Sequence, residues 1–411
     1  MNILIVKLSA IGDVIHTLPS LAALRRRYPG AEITWVVEEA ASDLLADHPD
    51  LNRVLISRRK SWLKELRQGR IAKPLREMRL FLRELRSRRY DLVIDFHGLL
   101  KSAVIVLLSG GKRKLGYDSL QEGSGLFYNE KIPEEMGKHA VDRYLDLVRH
   151  AAGGSGAALP PAAPETKSSA AGSSFREENN PGFDTPAARQ DPGKPSADGF
   201  RIAIGEEEER RVEALLSENS GVLDAGENGK EPGSNASGKE AGEGMAFVAV
   251  NPVAFWETKL WTNEKFAELC DRIRTELKIG VVLTGGEAAP LDRIRGRMKT
   301  AAVNLGGRTT LRELACLYGK ASLVVTTDSG PMHIAAAVGA PVVALFGPTD
   351  PGRTGPYGPG HRVIRRELSC SPCFRKRCET QACMREIGVG EVLDAVREML
   401  AAEKTSSITR S

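Results

Sequence analysis

No apolar run in this 411-residue chain approaches the roughly 20 residues that a bilayer-spanning helix needs. The first residues do not read as a secretory leader. Met1-Asn2-Ile3-Leu4-Ile5-Val6-Lys7 has no basic start and no cleavage pattern, and a polar turn follows at once, so the expected compartment is the cytoplasm. Cysteine is scarce: six residues in a long, unexported chain argue for reduced thiols rather than a disulfide framework. Charge of one sign is also lacking. The balance of 58 basic and 53 acidic residues leaves +5, too little to imply a nucleic-acid partner. No expected strand is followed by the G-x-G-x-x-G fingerprint, which excludes a dinucleotide oxidoreductase.

What is present is alternation. Apolar runs at residues 3–7, 33–37, 54–57, 92–95 and 114–117 read as strands, with helices beginning near Asp13 and Pro74 between them. The pattern resumes with strands at 247–251, 281–284, 303–305, 323–326 and 342–346, and helices at 263–278, 290–298 and 310–320. Such alternation predicts parallel sheets with helices on both faces: two doubly wound α/β domains around a central cleft. Residues 1–150 form the first domain and 245–388 the second, and 389–411 supply a closing helix and tail. Between the domains, 151–199 and 217–244 are rich in Gly, Ser, Pro, Ala and Glu and are expected to be disordered. Residues 200–216 form a short ordered piece between those inserts. Basic residues greatly outnumber acidic ones from Arg58 to Arg89, which suits an anionic partner or merely a solvated helix face.

The turns at the carboxyl ends of the strands carry the chemistry. Thr326-Thr327-Asp328-Ser329-Gly330-Pro331-Met332-His333 reads as strand, tight turn and helix, presenting backbone N–H groups and a positive helix end to a phosphate. Plain capping by Asp328 and Ser329 is the simpler alternative, but His333, Thr349 and Asp350 add polar groups that capping does not need. Asp13 follows the first strand, either as a helix cap or as a carboxylate able to accept a proton from an attacking hydroxyl. Lys259, between Trp256 and Trp261, reads as a point charge beside a phosphate, and Glu287 as a partner for ribose hydroxyls. The segments Asp95-Phe96-His97-Gly98-Leu99-Leu100-Lys101-Ser102, Lys112-Arg113-Lys114 and His139-Ala140-Val141-Asp142-Arg143 together suggest a cationic wall for an acidic acceptor. Cys370, Cys373, Cys378 and Cys383 fit either a structural metal site or a loop whose Arg375-Lys376-Arg377 faces an anion.

Three motifs resemble glycosyltransferase family 9, the bacterial lipopolysaccharide heptosyltransferases. They are Lys7-Leu8-Ser9-Ala10-Ile11-Gly12-Asp13-Val14-Ile15-His16-Thr17-Leu18-Pro19, Asp328-Ser329-Gly330-Pro331-Met332-His333 and Phe346-Gly347-Pro348-Thr349-Asp350-Pro351. The stretch Tyr90-Asp91-Leu92-Val93-Ile94-Asp95-Phe96-His97-Gly98-Leu99-Leu100-Lys101-Ser102-Ala103 is most similar to the member that adds the first heptose. The resemblance implies a GT-B fold and inverting transfer from ADP-L-glycero-D-manno-heptose to the Kdo of a Kdo-lipid A acceptor. The expected setting is the cytoplasmic face of the inner membrane, with no cofactor. It implies no metal, and the sequence accordingly has no Asp-x-Asp pair. It makes Asp13 the general base. Lys259, Glu287, Asp328, Ser329, Gly330, Met332 and His333 become donor-binding residues, and Ser9, Lys101, Arg113, His139 and Arg143 acceptor-binding residues. The remaining readings are a family member acting at a later step, or a non-catalytic binder of nucleotide sugar or lipid A.

Overall fold

The structure, a computed structural model, describes residues 1–118, 121–153, 199–224 and 246–408. Two six-stranded parallel sheets form its frame. The first comprises β1 (Asn2–Val6), β2 (Glu32–Glu38), β3 (Arg53–Ser57), β4 (Leu92–Asp95), β5 (Arg113–Tyr117) and β6 (Glu130–Ile132), in the order β3-β2-β1-β4-β5-β6. The second comprises β7 (Phe247–Asn251), β8 (Gly280–Leu283), β9 (Val303–Asn304), β10 (Leu323–Thr327), β11 (Val342–Phe346) and β12 (His361–Arg365), in the order β12-β11-β10-β7-β8-β9. Each sheet reverses direction beside its own first strand, β1 against β4 and β7 against β10, and ligands of doubly wound folds sit at that switch point. The expected GT-B architecture of two Rossmann-like domains is the observed one.

Period-two alternation assigns each strand residue to a layer. Ile3 and Ile5 join a core continuous with Phe247, Ala249, Val342 and Phe346 of the second half, so the two domains share one apolar interior. Leu4 and Val6 point the other way, into a separate outer layer. In the second half Val248, Val250, Val343 and Leu345 face the C-terminal helix Val389–Ile408, whose Val392, Leu393 and Val396 are fully buried. That helix is part of the second domain's core and not an appendage.

Two edge strands, β6 and β12, escape the sequence reading because edge positions carry charge: Glu130 and Lys131 in one, Arg362 and Arg365 in the other. The second insert begins later than expected. The helix Glu206–Ser217 continues through Ser220–Leu223, and Leu223 lies buried against Gly280 at the start of β8, which orders residues 217–224. Val212 and Leu215 of that helix are buried in the shared core, where it packs on the helix Leu311–Lys320. The rest of the expected disorder, 154–198 and 225–245, lies outside the described residues.

Candidate active site

β1 delivers its carboxyl end to the cleft at Lys7. The Lys7 ammonium is buried; it donates to Phe96 O at 2.8 Å and to the Tyr144 hydroxyl at 2.6 Å, and stands 3.9 Å from Asp13 Oδ1. Burial pulls its pKa below the usual lysine range, against the opposing pull of Asp13 and Asp95. The helix Ile11–Arg27 starts two residues before Asp13, so Asp13 is the third residue of its first turn and not the N-cap. Its Oδ2 accepts the Ala10 N–H at 3.1 Å and its Oδ1 accepts the Tyr144 hydroxyl at 3.3 Å. Burial pushes the Asp13 carboxyl up, but the Lys7 charge and the Ala10 N–H outweigh it and hold the pKa below the ordinary aspartate value. With 40% of its side chain accessible, Asp13 is an ionised carboxylate aimed into the cleft.

Of the residues expected to meet an acceptor, fewer gather near Asp13 than the sequence suggests. Lys101 Nζ meets Ser9 Oγ at 3.2 Å, and Glu38, buried at the end of β2, holds Arg59 at 3.1 Å and Lys60 at 3.2 Å nearby. Asp95 pins its own loop, accepting the His97 and Gly98 N–H groups and the Tyr128 hydroxyl. His97 is not a cation, since burial lowers its pKa to about 3. Both of its ring nitrogens are buried without a partner, which leaves a neutral imidazole able to donate and accept. Arg113 is a correction: it opens β5, level with Leu92, at the sheet edge opposite the cleft, and binds Glu130 at 2.7 Å. His139 and Arg143 are also otherwise engaged. His139 caps the helix Ala140–Ala151 and bonds Gly355 O of the second half at 3.1 Å, while the Arg143 guanidinium closes on Glu134.

On the donor side, the turn after β7 brings Lys259 Nζ to 2.6 Å from Asp328 Oδ2, with the ammonium 4.6 Å from the centre of the Trp256 ring. Asp328, buried at the end of β10, also accepts the Thr349 hydroxyl. Both contacts fix the Asp328 carboxylate beside Lys259. Ser329 is the N-cap of the helix Gly330–Ala337, and its buried Oγ has no partner. Glu287 precedes the helix Ala288–Arg295, exposed and free of any capping bond. The cysteine loop wraps the same corner. Cys373 and Phe374 donate N–H bonds to Pro348 O, Thr258 Oγ1 donates to Arg375 O, and Lys376 Nζ lies 5.3 Å from the same Trp256 ring. Among the described residues no group of three or more His, Cys, Asp or Glu is placed to hold a metal ion.

The two sides meet helix start to helix start. A Cβ on Gly330 would lie 3.0 Å from Ile11 Cβ, and one on Gly12 would lie 2.3 Å from His333 Cδ2. Gly12→Val should therefore force the halves apart and reduce donor affinity at least tenfold, as isothermal titration with ADP would show. His333 Nδ1 lies 3.0 Å from His16 Nε2, and the His16 ring also packs edge-on against His139. Burial pushes His16 well down and His333 to about 4. The unfolded chain binds protons at these histidines from about pH 6.5 downward, and the folded chain resists until lower pH. Stability is thus fully present above about pH 6.5 and is lost progressively toward pH 4. Calorimetry should show a falling melting temperature across that window, with a shallower fall in His16→Asn.

Sequence reasoning misses Tyr144, which lies far along the chain on an amphipathic helix and gives no local signal. The role of Lys7 is legible in principle, because a charged residue ending an apolar strand sits at the carboxyl edge where ligands bind.

The family model for glycosyltransferase family 9 (heptosyltransferase) matches residues 78–192 and 215–384. The chain is 31% identical over 388 residues to lipopolysaccharide heptosyltransferase 1 of Pseudomonas aeruginosa, covering 93% of this chain and 88% of that protein. Its counterpart from Escherichia coli K12 is 28% identical over 373 residues, covering 89% and 93%. Among solved structures, E. coli heptosyltransferase WaaC with ADP superposes with a TM-score of 0.66 at 25% identity, over 97% of this chain and 100% of that one. A family 9 glycosyltransferase from Veillonella parvula gives 0.71 at 20% identity, over 98% and 97%, which supports the fold. With paired Rossmann-like sheets and matches along nearly its whole length, the chain belongs to glycosyltransferase family 9, the heptosyltransferases.

Proposed function

We propose that this chain transfers L-glycero-D-manno-heptose from ADP-heptose to the Kdo of the lipid A inner core, with inversion and without a metal ion. The observation that carries the reading is the meeting of the helix starts at Ile11 and Gly330, which brings the Asp13 carboxylate to the turn holding Lys259 and Asp328. The names of the relatives and the ADP bound to WaaC support the same donor and pathway.

In this reading the second domain takes the donor. Lys259 meets the diphosphate and the N–H groups of Ser329 and Gly330 face it, with Met332 and His333 closing the same turn and Glu287 on the ribose. As the glycosidic bond breaks, negative charge gathers on the departing ADP, where fixed donors contribute most. The first domain takes the acceptor: Ser9, His97 and Lys101 meet Kdo hydroxyls and carboxylate. Asp13 removes the proton of the attacking hydroxyl, and Lys7 and Tyr144 hold it in line. A lipid-borne acceptor sets the work at the cytoplasmic face of the inner membrane.

The test is ADP release with ADP-heptose and one of two acceptors, Kdo2-lipid A or its heptosylated product. Turnover on the heptose-free acceptor alone is expected. Turnover on the heptosylated one alone would move the chain to a later step, and donor binding without turnover on either would make it a binding protein.

A further inference from the structure

Basic charge and apolar exposure are concentrated in the first domain. Of the thirteen large apolar side chains exposed among the described residues, eleven lie in residues 1–153. Thirteen basic residues face three acidic ones between Arg58 and Arg89. The helix Ala72–Leu85 lays Phe81, Leu82 and Leu85 on the outer layer of the first sheet, and the helix Leu100–Leu108 lays Ile105, Val106 and Leu108 on the same layer. Arg86 Nε joins them by donating to Leu108 O at 2.9 Å. This is the sheet face turned away from the second domain, whose partner helix Ile11–Arg27 covers the other face.

What these helices show to the outside is not an ordinary solvated surface. Arg76, Arg79 and Arg83 form one helical stripe, form no ion pair among the described residues, and have Leu75 and Leu80 on either side. On the neighbouring helix Leu100, Val104 and Leu107 repeat at i, i+4 and i+7. These five apolar residues are each between 40% and 49% exposed. No described helix is long and apolar enough to cross a membrane. Basic side chains with interleaved apolar ones, on helices that do not span, match the interface of an anionic bilayer, where leucines enter the headgroup region and arginines snorkel to phosphates.

We infer that the outer faces of the helices Ala72–Leu85 and Leu100–Leu108 form a docking surface for an anionic lipid bilayer. The second of these helices carries Lys101 at its cleft end, next to Leu100, with Nζ reaching Ser9. The bilayer contact and the acceptor end of the cleft therefore share one helix. A saccharide on a lipid anchor enters the cleft along that helix while the anchor stays in the bilayer. This orientation rests on the proposed acceptor, whereas the docking itself does not.

The experiment is flotation of the full chain with vesicles of phosphatidylcholine alone or with about one-third phosphatidylglycerol, at low and high salt. Binding is expected to the anionic vesicles alone, and to weaken with salt. Arg76→Glu/Arg79→Glu/Arg83→Glu should reduce partitioning about 100-fold or more. Leu75→Ser/Leu80→Ser should reduce it about tenfold with an unchanged salt response. Both variants should keep the native melting temperature and full turnover on a water-soluble, delipidated acceptor. Equal anionic binding by the native chain and the charge-reversed variant would overturn the inference. So would a native dimer that the leucine variant dissolves and that binds no vesicles, which would give the face to a second copy. Native vesicle binding without turnover on any acceptor would support the docking surface and overturn the proposed activity.

Discussion

Asp13→Asn should lower heptose transfer by about 10³-fold, within the usual range for loss of a positioned base, while the affinity for ADP stays within about twofold. The asparagine side chain is isosteric and can still accept the Ala10 N–H, so the first turn of the helix keeps its bond. What disappears is the anion. The acceptor hydroxyl then has no group to take its proton as it attacks, and the loss falls on kcat rather than on donor binding. Lys7 loses its counter-charge at 3.9 Å and keeps its bonds to Phe96 O and Tyr144. A modest fall in melting temperature should accompany the loss of rate. Because the Lys7 charge and the Ala10 N–H hold Asp13 below the ordinary aspartate pKa, it remains ionised at neutral pH without help from an acceptor. The check is single-turnover transfer and ADP titration on the same preparation. Transfer within tenfold of the native rate would remove Asp13 as the base.

Lys259→Met should cost about 10² to 10³ in kcat/KM, the size expected when one fixed donor to a developing charge is removed. The measurement needs a control, because Lys259 also answers the buried Asp328 carboxylate at 2.6 Å. Removing one member of such a pair leaves the other uncompensated and destabilises the fold by itself, by roughly 3 kcal/mol. The double variant Lys259→Met/Asp328→Asn separates the two effects. Its new amide carries no charge and can still accept the Thr349 hydroxyl, so most of the lost melting temperature should return. None of the lost activity should return with it. If activity does recover with stability, Lys259 serves the fold and not the diphosphate.

The frame is readable because parallel strands buried on both faces leave continuous apolar runs, and ten of the twelve strands announce themselves this way. β6 and β12 do not, since each edge strand is short or carries charge along its open side. The position of a side chain is readable where a motif sits on a single strand-end turn, as with Asp13, Lys259 and Asp328. It is misread where function is inferred from charge alone. Arg113 lies in a basic triplet, but its place at the start of β5 sends it to the far edge of the sheet, and only strand register reveals that. His139 has the chemistry of an acceptor ligand, and sequence gives no sign that it also caps a helix and reaches Gly355 across the joint. Tyr144 is invisible in sequence because its link to Asp13 spans 131 residues.

The most direct test of the account is to incubate the full chain with ADP-heptose and Kdo2-lipid A in excess EDTA and to examine the product by mass spectrometry and NMR. The account predicts one added heptose per acceptor, stoichiometric ADP, and an anomeric configuration inverted from that of the donor. Transfer that stops in EDTA would contradict a metal-independent reaction, and a product that keeps the donor configuration would contradict Asp13 as a base serving a single direct displacement.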